Sequence, residues 1–511
     1  MNDNNTETGK EALFKYPLSF SISQGLLNEN EIKKDGVTLK HEGRVELYKE
    51  HMIITAPGLK TLSIPYRDID KAEGREYKMY LDISGGQHYK FFELGYEYEN
   101  FMKNFFFLRN EIIIKDLLMK EKILRPYVEG EFEEKDTSGK TVGKESCLIR
   151  VYETGVVVVP VSSQIRRYPF GLIDKISSGD YKIVIRMEDG STLTLSMLGY
   201  EFESLTRDIT KANDALIEKT RQLIKEISPD ENPENILKLS YMLKDGRAAR
   251  NEKISSISRQ FLKEVENKLK GRQVWDYYNY LYTISDPEKI CTGIKKGLFQ
   301  DTTGYYLWFL FPLYGSKTGS FPSTVALEAM TIVMEDKGKE QTMADSKESQ
   351  AADGQFLQEG NEAEVLKHDD EEEDKDNLSF QTGGKATYVF RMTDRDNLVN
   401  TCKSGKRISP ASFDISGNYD DFIRKVNKCM IAINFRREPV YMTDDQLSLD
   451  SNISYRYAVN MIPELSWLRD VFTGRIIHKD KKTWQKDLKE ILEFNSNNLD
   501  NFLKWQKNRF N

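Results

Sequence analysis

Hydrophobic and polar residues alternate along several short segments in the first half of the chain. A period of two is typical of strands that bury one face. The first group of segments covers 44–54, 62–66, 78–83 and 89–94, and the second covers 148–159, 165–170, 182–187 and 191–197. Gly85-Gly86 and Asp189-Gly190 favour tight hairpin turns, because glycine adopts positive φ without strain.

A helical pattern follows each group, because apolar residues there recur at a spacing of three and four. The first apolar stripe consists of Tyr98, Phe101, Phe105, Leu108 and Ile112. The second stripe consists of Phe202, Leu205, Ile209, Ala212 and Leu216. Each group therefore predicts six or seven antiparallel strands followed by one amphipathic helix.

The two groups are copies of one another. A shift of 104 residues aligns the first quarter of the chain with the second quarter without a gap. The identities cluster in runs, which are Ile69-Asp70-Lys71 with Ile173-Asp174-Lys175, Tyr77-Lys78 with Tyr181-Lys182, and Leu94-Gly95-Tyr96-Glu97 with Leu198-Gly199-Tyr200-Glu201. This arrangement indicates an internal duplication.

Seven strands followed by a helix resemble the pleckstrin-homology (PH) superfold and its GRAM-like relatives. The resemblance is one of architecture, and both helices lack the tryptophan that is typical of PH domains. It implies a bent β-sandwich or barrel closed by a C-terminal helix in each copy. The predicted fold class is therefore α+β, with two or three PH-like units, a helical linker and a helical C-terminal region.

A third, degenerate unit is predicted further along the chain. Tyr419-Asp420-Asp421-Phe422 is similar to the start of the first helix, and strand patterns occupy 304–314, 323–333 and 385–392. The run from Tyr305 to Phe311 is apolar at every position, which is typical of a strand buried on both faces.

We expect six regions. They are a disordered N-terminus (1–18), PH-like domains 1 (19–122) and 2 (123–228), a helical linker (229–280), a degenerate PH-like domain 3 (281–438) and a helical C-terminal region (439–511).

The acidity of the chain is local. Its net charge is -7, but an insert in the third unit, residues 335–377, carries 16 acidic residues against five lysines. The rest of the chain is therefore slightly basic. An insert with so few apolar residues is predicted to be disordered and to attract basic partners over a distance. Its densest run is Asp369, Asp370, Glu371, Glu372, Glu373 and Asp374, which we interpret as a solvated tract, not a metal site.

Cysteine and histidine usage argues against catalytic and cofactor sites. The four cysteines and five histidines show no metal-ligand spacing, so we expect no cofactor and no enzymatic activity. The polar N-terminus and the absence of a long apolar run favour a soluble cytoplasmic protein.

Candidate contacts for a partner or a lipid lie in the second unit. They are Lys135, Lys140 and Lys144 near its first turn, with Arg166 and Arg167 on a later strand. Basic residues of the first loop bind phosphoinositide headgroups in lipid-binding PH domains, so the resemblance implies this role. Ser138-Gly139-Lys140-Thr141 resembles the end of a P-loop but lacks the first glycine and lies between strand patterns.

The function predicted from these features is a non-catalytic interaction or scaffold protein that binds protein partners, with the acidic insert steering basic ones. One alternative is a peripheral membrane protein that recognises anionic lipid. Another is a chaperone of histones or other basic proteins, because tandem PH-like domains with an acidic segment resemble part of the FACT histone chaperone. We expect weak or no membrane binding and no direct nucleic-acid binding.

Overall fold

The structure is a computed structural model that describes residues 12–24, 40–84, 86–117, 121–296, 304–314, 322–333, 386–392 and 419–496. The first unit has seven strands and one long helix. They are β1 (Phe14–Gln24), β2 (His41–Leu47), β3 (His51–Thr55), β4 (Leu62–Pro65), β5 (Ile69–Arg75), β6 (Lys78–Ile83), β7 (Gln87–Phe92) and α1 (Tyr98–Asp116).

The seven strands form one antiparallel sheet in the order β4-β3-β2-β1-β7-β6-β5, which stays open within the described residues. β1 lies at the centre because its two halves pair with different neighbours, β2 and β7. Helix α1 packs its apolar stripe against the sheet, and Phe101 and Phe105 are fully buried there.

The second unit repeats this order as β11-β10-β9-β8-β14-β13-β12. Its elements are β8 (Ile123–Lys135), β9 (Thr141–Tyr152), β10 (Gly155–Pro160), β11 (Arg166–Pro169), β12 (Ile173–Gly179), β13 (Lys182–Met187), β14 (Thr192–Ser196) and α2 (Phe202–Ile227). Leu205, the counterpart of Phe101, is likewise fully buried beneath its helix.

Backbone irregularities recur at the same offset, which confirms the predicted duplication. The register of β5 with β6 shifts between Ile69 and Lys71, and that of β12 with β13 shifts between Ile173 and Lys175. Gly86 and Gly190, in the predicted hairpin turns, both have positive φ.

The second half of the chain is mainly helical around a third sheet. Its elements are α3 (Pro233–Met242), β15 (Ala248–Arg250), α4 (Asn251–Ile257), α5 (Arg259–Leu269), α6 (Trp275–Ile284), β16 (Cys291–Lys296), β17 (Gly304–Leu313), β18 (Thr324–Val333), β19 (Ala386–Arg391), α7 (Tyr419–Ala432), α8 (Glu438–Tyr441), α9 (Asp444–Ser448), α10 (Ile453–Met461), α11 (Pro463–Val471), β20 (Phe472–Ile477) and α12 (Lys481–Ser496). The molecule is therefore a mixed α+β protein, as its sequence predicted.

The third sheet is covered on both faces. Along β17, Tyr306, Trp308 and Leu310 pack toward the second unit and helices α7 and α11. Leu307 and Phe309 point the other way, toward helices α3 to α6 and α12. All residues from Tyr305 to Phe311 are buried, which confirms the interpretation of this run as a doubly covered strand.

Two segments predicted as continuous strands are hairpins. Residues 44–54 divide into β2 and β3, and residues 148–159 divide into β9 and β10. In both hairpins the buried positions change phase across a short polar run, from Val45 and Leu47 to Met52 and Ile54 in the first, and this slip marks the turn that the sequence prediction passed over. Residues 14–18, assigned to the N-terminal extension, form the first part of β1, where Tyr16 and Leu18 reach the core.

The boundaries of the third unit also differ from those expected. Its six strands follow one another in chain order, unlike the first two sheets. β15 falls in the expected helical linker, and β20 falls in the expected helical C-terminal region. Both are short strands that pair with β16 and β19, and such distant pairing leaves little trace in local periodicity. The acidic insert 335–377 lies outside the described residues.

Candidate functional site

The three candidate lysines flank the hairpin between β8 and β9. Lys140 and Lys144 are exposed, whereas Lys135 is half-buried with its Nζ 3.7 Å from Glu133. Carboxylates therefore dilute the positive charge of this turn, as the interleaved sequence predicts.

The P-loop-like residues form the turn of this hairpin. The carboxylate of Asp136 accepts hydrogen bonds from the backbone N–H groups of Ser138 (2.9 Å) and Lys140 (3.0 Å). Hydrogen bonding, chiefly from the Ser138 hydroxyl, holds the pKa of Asp136 below its ordinary value. The amides that would cradle a phosphate in a P-loop thus bind a carboxylate of the chain itself.

The two candidate arginines on β11 are engaged inside the chain. Arg166 forms an ion pair with Glu134 and lies over the ring of Phe132, 5.0 Å from its centre. Arg167 is nearly buried, 2.5 Å from Glu121 and 2.8 Å from the Thr154 hydroxyl. The five candidate residues therefore form an exposed lysine turn and two separate structural ion pairs.

Glu121 shows how strongly Arg167 is held. Burial by itself would raise the pKa of this carboxyl, but the charge of Arg167 and the hydrogen bond from Thr154 outweigh burial and lower it. Neither member of the pair is available to an incoming headgroup without breaking this contact.

A cleft of about 250 Å³ lies where the second unit meets the C-terminal helices. β11 and the turn after β13 form one wall, and α7 with the junction of α10 and α11 forms the other. The apolar lining residues are Leu117, Ile165, Tyr168, Pro169, Leu172, Met187, Ala432, Met461, Ile462 and Pro463. No sequence pattern marks this cleft, because its walls are some 250–300 residues apart in the chain.

Most of the charged residues around this cleft are ion-paired within the chain, and Asp189 instead accepts hydrogen bonds from Ser191. Lys428 and Glu464 are 2.8 Å apart, Arg424 binds Asp421, and Glu188 binds Arg247. A charge that is neutralised by an internal partner attracts an ionic ligand only weakly. The cleft thus combines an apolar floor with a balanced rim.

The turn after α3 joins the second unit to the third sheet. Lys244 is buried and donates its Nζ to the carbonyl of Ile173, while Asp245 pairs with Lys295 at 2.9 Å. Trp308 of β17 donates its Nε1 to the carbonyl of Gly246 at 2.7 Å. This junction fixes the second unit relative to the third sheet.

Burial, reinforced by repulsion from Arg247, lowers the pKa of Lys244 to about 8. The unfolded chain has the usual lysine pKa of about 10.4, so the folded state gains stability as pH rises from 8 to 10. We expect the free energy of unfolding of the wild type, relative to Lys244→Met, to rise by about 2 kcal/mol between pH 7.5 and 10. Urea denaturation at both pH values measures this difference.

The exposed Lys211 on α2 provides the control, because Lys211→Met removes a solvated charge. Its stability difference from the wild type should be the same at both pH values. If the difference in free energy of unfolding between Lys244→Met and the wild type does not change with pH, then Lys244 is not a charged, desolvated side chain.

A buried polar cluster lies on the opposite face of the third sheet. His478 Nε2 is 3.2 Å from Glu328 Oε1, and Thr387 contacts both side chains. The residue types resemble a catalytic triad, but the side chains of His478 and Glu328 are each only 1% exposed. A substrate has no access, so the cluster is part of the core.

The described residues hold no group of three or more His, Cys, Asp or Glu side chains arranged for a metal ion. Among the helices of the described ranges, none is long and apolar enough to span a membrane. The fold and the cleft together define a duplicated α+β protein with an apolar groove between its second unit and its C-terminal helices. The sequence matches no protein-family model and no curated protein.

Proposed function

We propose that this protein is a non-catalytic interaction protein that docks a segment of a protein partner in the cleft between its second unit and helices α7 and α11. The observation that carries this proposal is the apolar floor of the cleft beneath a rim whose charges are mostly paired within the chain. Burying one leucine or phenylalanine side chain there contributes about 1.5–3 kcal/mol.

The pairing of the candidate arginines supports a protein partner over an anionic lipid. Arg166 and Arg167, the strongest cations among the candidate contacts, are bound to Glu134 and Glu121. The order of strands in both units and their terminal helices support the resemblance to PH-like domains, which we keep as part of the proposal. The acidic insert would add long-range attraction for partners with basic surfaces.

Filling the cleft tests the proposal. Ala432 lines the cleft at the end of α7, and Ala432→Trp should occupy the space meant for the partner's side chain. A partner captured by the full chain from native lysate, then purified, should bind this variant about tenfold more weakly in calorimetry, which corresponds to ~1.4 kcal/mol.

Leu237→Trp on α3 is the matched control, because Leu237 is an exposed apolar residue away from the cleft. It should leave the affinity unchanged. Equal binding by both variants and the wild type would place the docking site elsewhere.

Vesicles of phosphatidylserine and phosphatidylcholine test the lipid alternative. We expect no co-sedimentation at physiological salt. Salt-sensitive binding that is lost in a Lys135→Glu, Lys140→Glu, Lys144→Glu variant would instead favour a membrane protein. Arg167 is excluded from this variant because its charge reversal would disrupt a buried ion pair.

A further inference from the structure

Each unit carries a tyrosine whose ring is completely exposed. Tyr96 and Tyr200 lie at equivalent positions, in the short 3-10 turns that precede α1 and α2. Their relative exposures are 104% and 105%. Within the described part of the chain, neither side chain makes a hydrogen bond or ring contact, so folding does not explain either tyrosine.

A second pair of exposed tyrosines occupies the two-residue turns that join β5 to β6 and β12 to β13. Tyr77 and Tyr181 both have φ of +57°, after Glu76 at +53° and Asp180 at +49°. Such turns favour asparagine and glycine, because a larger side chain in this left-handed region is strained. Tyrosine at this position in both copies therefore strains the backbone, and an asparagine or glycine would form the same turn with less strain.

The two tyrosines of a unit lie at the same end of it. Tyr77 packs beside the ring of Tyr98 at 5.5 Å, and Tyr98 donates its hydroxyl to the carbonyl of Lys78. Tyr96 precedes Tyr98 by two residues. In the second unit, Tyr181 packs beside Phe202 at 5.6 Å in the same way.

Exposed carboxylates surround both pairs. We call these surfaces the tyrosine faces. The first comprises Glu76, Tyr77, Tyr96, Glu97 and Glu99, and the second comprises Asp180, Tyr181, Tyr200, Glu201 and Glu203. All five positions keep their chemistry across the duplication.

Nearby exposed positions have changed between the copies. Arg75 corresponds to Gly179, and Glu93 corresponds to Met197. The residue types of the tyrosine faces are therefore kept between the two copies, whereas these exposed neighbours have changed.

The net charge of the tyrosine faces is negative, although basic side chains lie nearby. Lys78 and its counterpart Lys182 border the faces, and Lys78 Nζ lies 3.9 Å from Glu76. Arg125 is already bound to Glu201 and Asp208. In the first face three carboxylates outnumber Lys78 and Arg75, and in the second face Asp180 and Glu203 outnumber Lys182 once Arg125 has neutralised Glu201. Each face is therefore negative overall.

We infer that the two tyrosine faces bind lysine and arginine side chains of a basic segment in a protein partner. A cation over a tyrosine ring gains about 0.5–1 kcal/mol at an exposed site, and neighbouring carboxylates add ion pairs. The duplication gives each chain two equivalent faces at which a basic segment can bind. This binding is separate from docking in the cleft.

Fluorescence anisotropy with a labelled peptide that alternates lysine and serine tests the inference on the full chain. The wild type should bind this peptide and not a glutamate–serine peptide. Tyr96→Ala with Tyr200→Ala should weaken binding about fivefold, because the ring faces are lost. Tyr96→Phe with Tyr200→Phe should bind like the wild type, since phenylalanine keeps the ring face.

Two controls separate the tyrosine faces from other surfaces. Tyr241 on α3 is exposed but has no repeated counterpart, so Tyr241→Ala should not change binding. Ala432→Trp, which fills the cleft, should not change it either, so failure of the cleft proposal leaves this result intact.

Three results would overturn the inference. If Tyr96→Ala with Tyr200→Ala binds the peptide as tightly as the wild type, the peptide binds to the acidic insert alone and not to the tyrosine faces. Equal losses for the phenylalanine and alanine pairs would exclude the ring face as the contact. A dimer in analytical ultracentrifugation that the alanine pair dissociates would make a second copy of this chain the occupant.

Discussion

Replacing Gly293 by alanine should destabilise the third sheet by about 3–5 kcal/mol, through overpacking and loss of a buried hydrogen bond. Gly293 on β16 lies directly opposite Trp308 on β17. A Cβ at Gly293 would come within 2.1 Å of Trp308 Nε1, so the fully buried indole must move. That movement would break the hydrogen bond from Trp308 to Gly246. Urea denaturation followed by tryptophan fluorescence measures the loss.

Gly179→Ala is the control, because a Cβ at Gly179 meets no atom within 4 Å. It should denature close to the wild-type urea concentration. Combining Gly293→Ala with Trp308→Phe should cost less than the sum of the single changes, since the smaller ring relieves the clash. Additive losses would show that the two residues do not share this space.

The duplicated half of the fold was the most predictable part. Copies at a fixed offset let each sequence pattern be checked against the other, so the burial of Phe101 and Leu205 was foreseeable. The division of residues 44–54 into a hairpin was not predicted, although the buried positions change phase from Val45 and Leu47 to Met52 and Ile54. A single strand of constant phase would have buried positions 49 and 51, which are lysine and histidine, so the break in alternation was the signal of the turn.

The third sheet shows the limit of local patterns. The apolar run from Tyr305 to Phe311 correctly predicted a strand covered on both faces. The pairing of β19 with β20 was not predictable, because more than 80 residues separate the two strands. The six residues of β20 also do not alternate, because Thr473, Gly474 and Arg475 are consecutive and Ile476 is followed directly by Ile477.

The candidate residues for contact with a partner or lipid were predicted from their positive charge alone. Their burial in the fold then shows which of them are engaged inside the chain. Arg166 and Arg167 are adjacent in sequence, yet their ion pairs reach Glu134 on β8 and Glu121 before it. No spacing rule connects these residues. The tyrosine faces did leave a sequence signal, because Tyr77, Tyr96 and their counterparts were among the identities of the duplication. Their exposure became visible only in the fold.

The buried cluster around Glu328 is the second place where a single change should have a large effect. Glu328 on β18 accepts a hydrogen bond from Thr387 and contacts His478. Trp484 donates its Nε1 to the Thr387 hydroxyl at 2.8 Å, and the ring of Tyr277 stacks on His478 at 3.9 Å. The cluster therefore joins the third sheet to helices α6 and α12.

Glu328→Ala should lower the free energy of unfolding by about 3–5 kcal/mol, because the remaining polar groups lose a buried partner. Glu328→Gln should cost less, since its amide oxygen still accepts from Thr387 and its side chain fills the same space. Urea denaturation of the three proteins at neutral pH measures both differences.

Glu42→Ala on β2 is the matched control, because Glu42 is an exposed glutamate in a strand. Surface substitutions of this kind usually change stability by less than about 0.5 kcal/mol. If Glu328→Ala unfolds at the same urea concentration as Glu42→Ala, then Glu328 does not hold the buried cluster together. If Glu328→Gln costs as much as Glu328→Ala, the negative charge matters more than the hydrogen bond to Thr387. The ranking of the two variants therefore shows whether the hydrogen bond to Thr387 is the main contribution of this side chain.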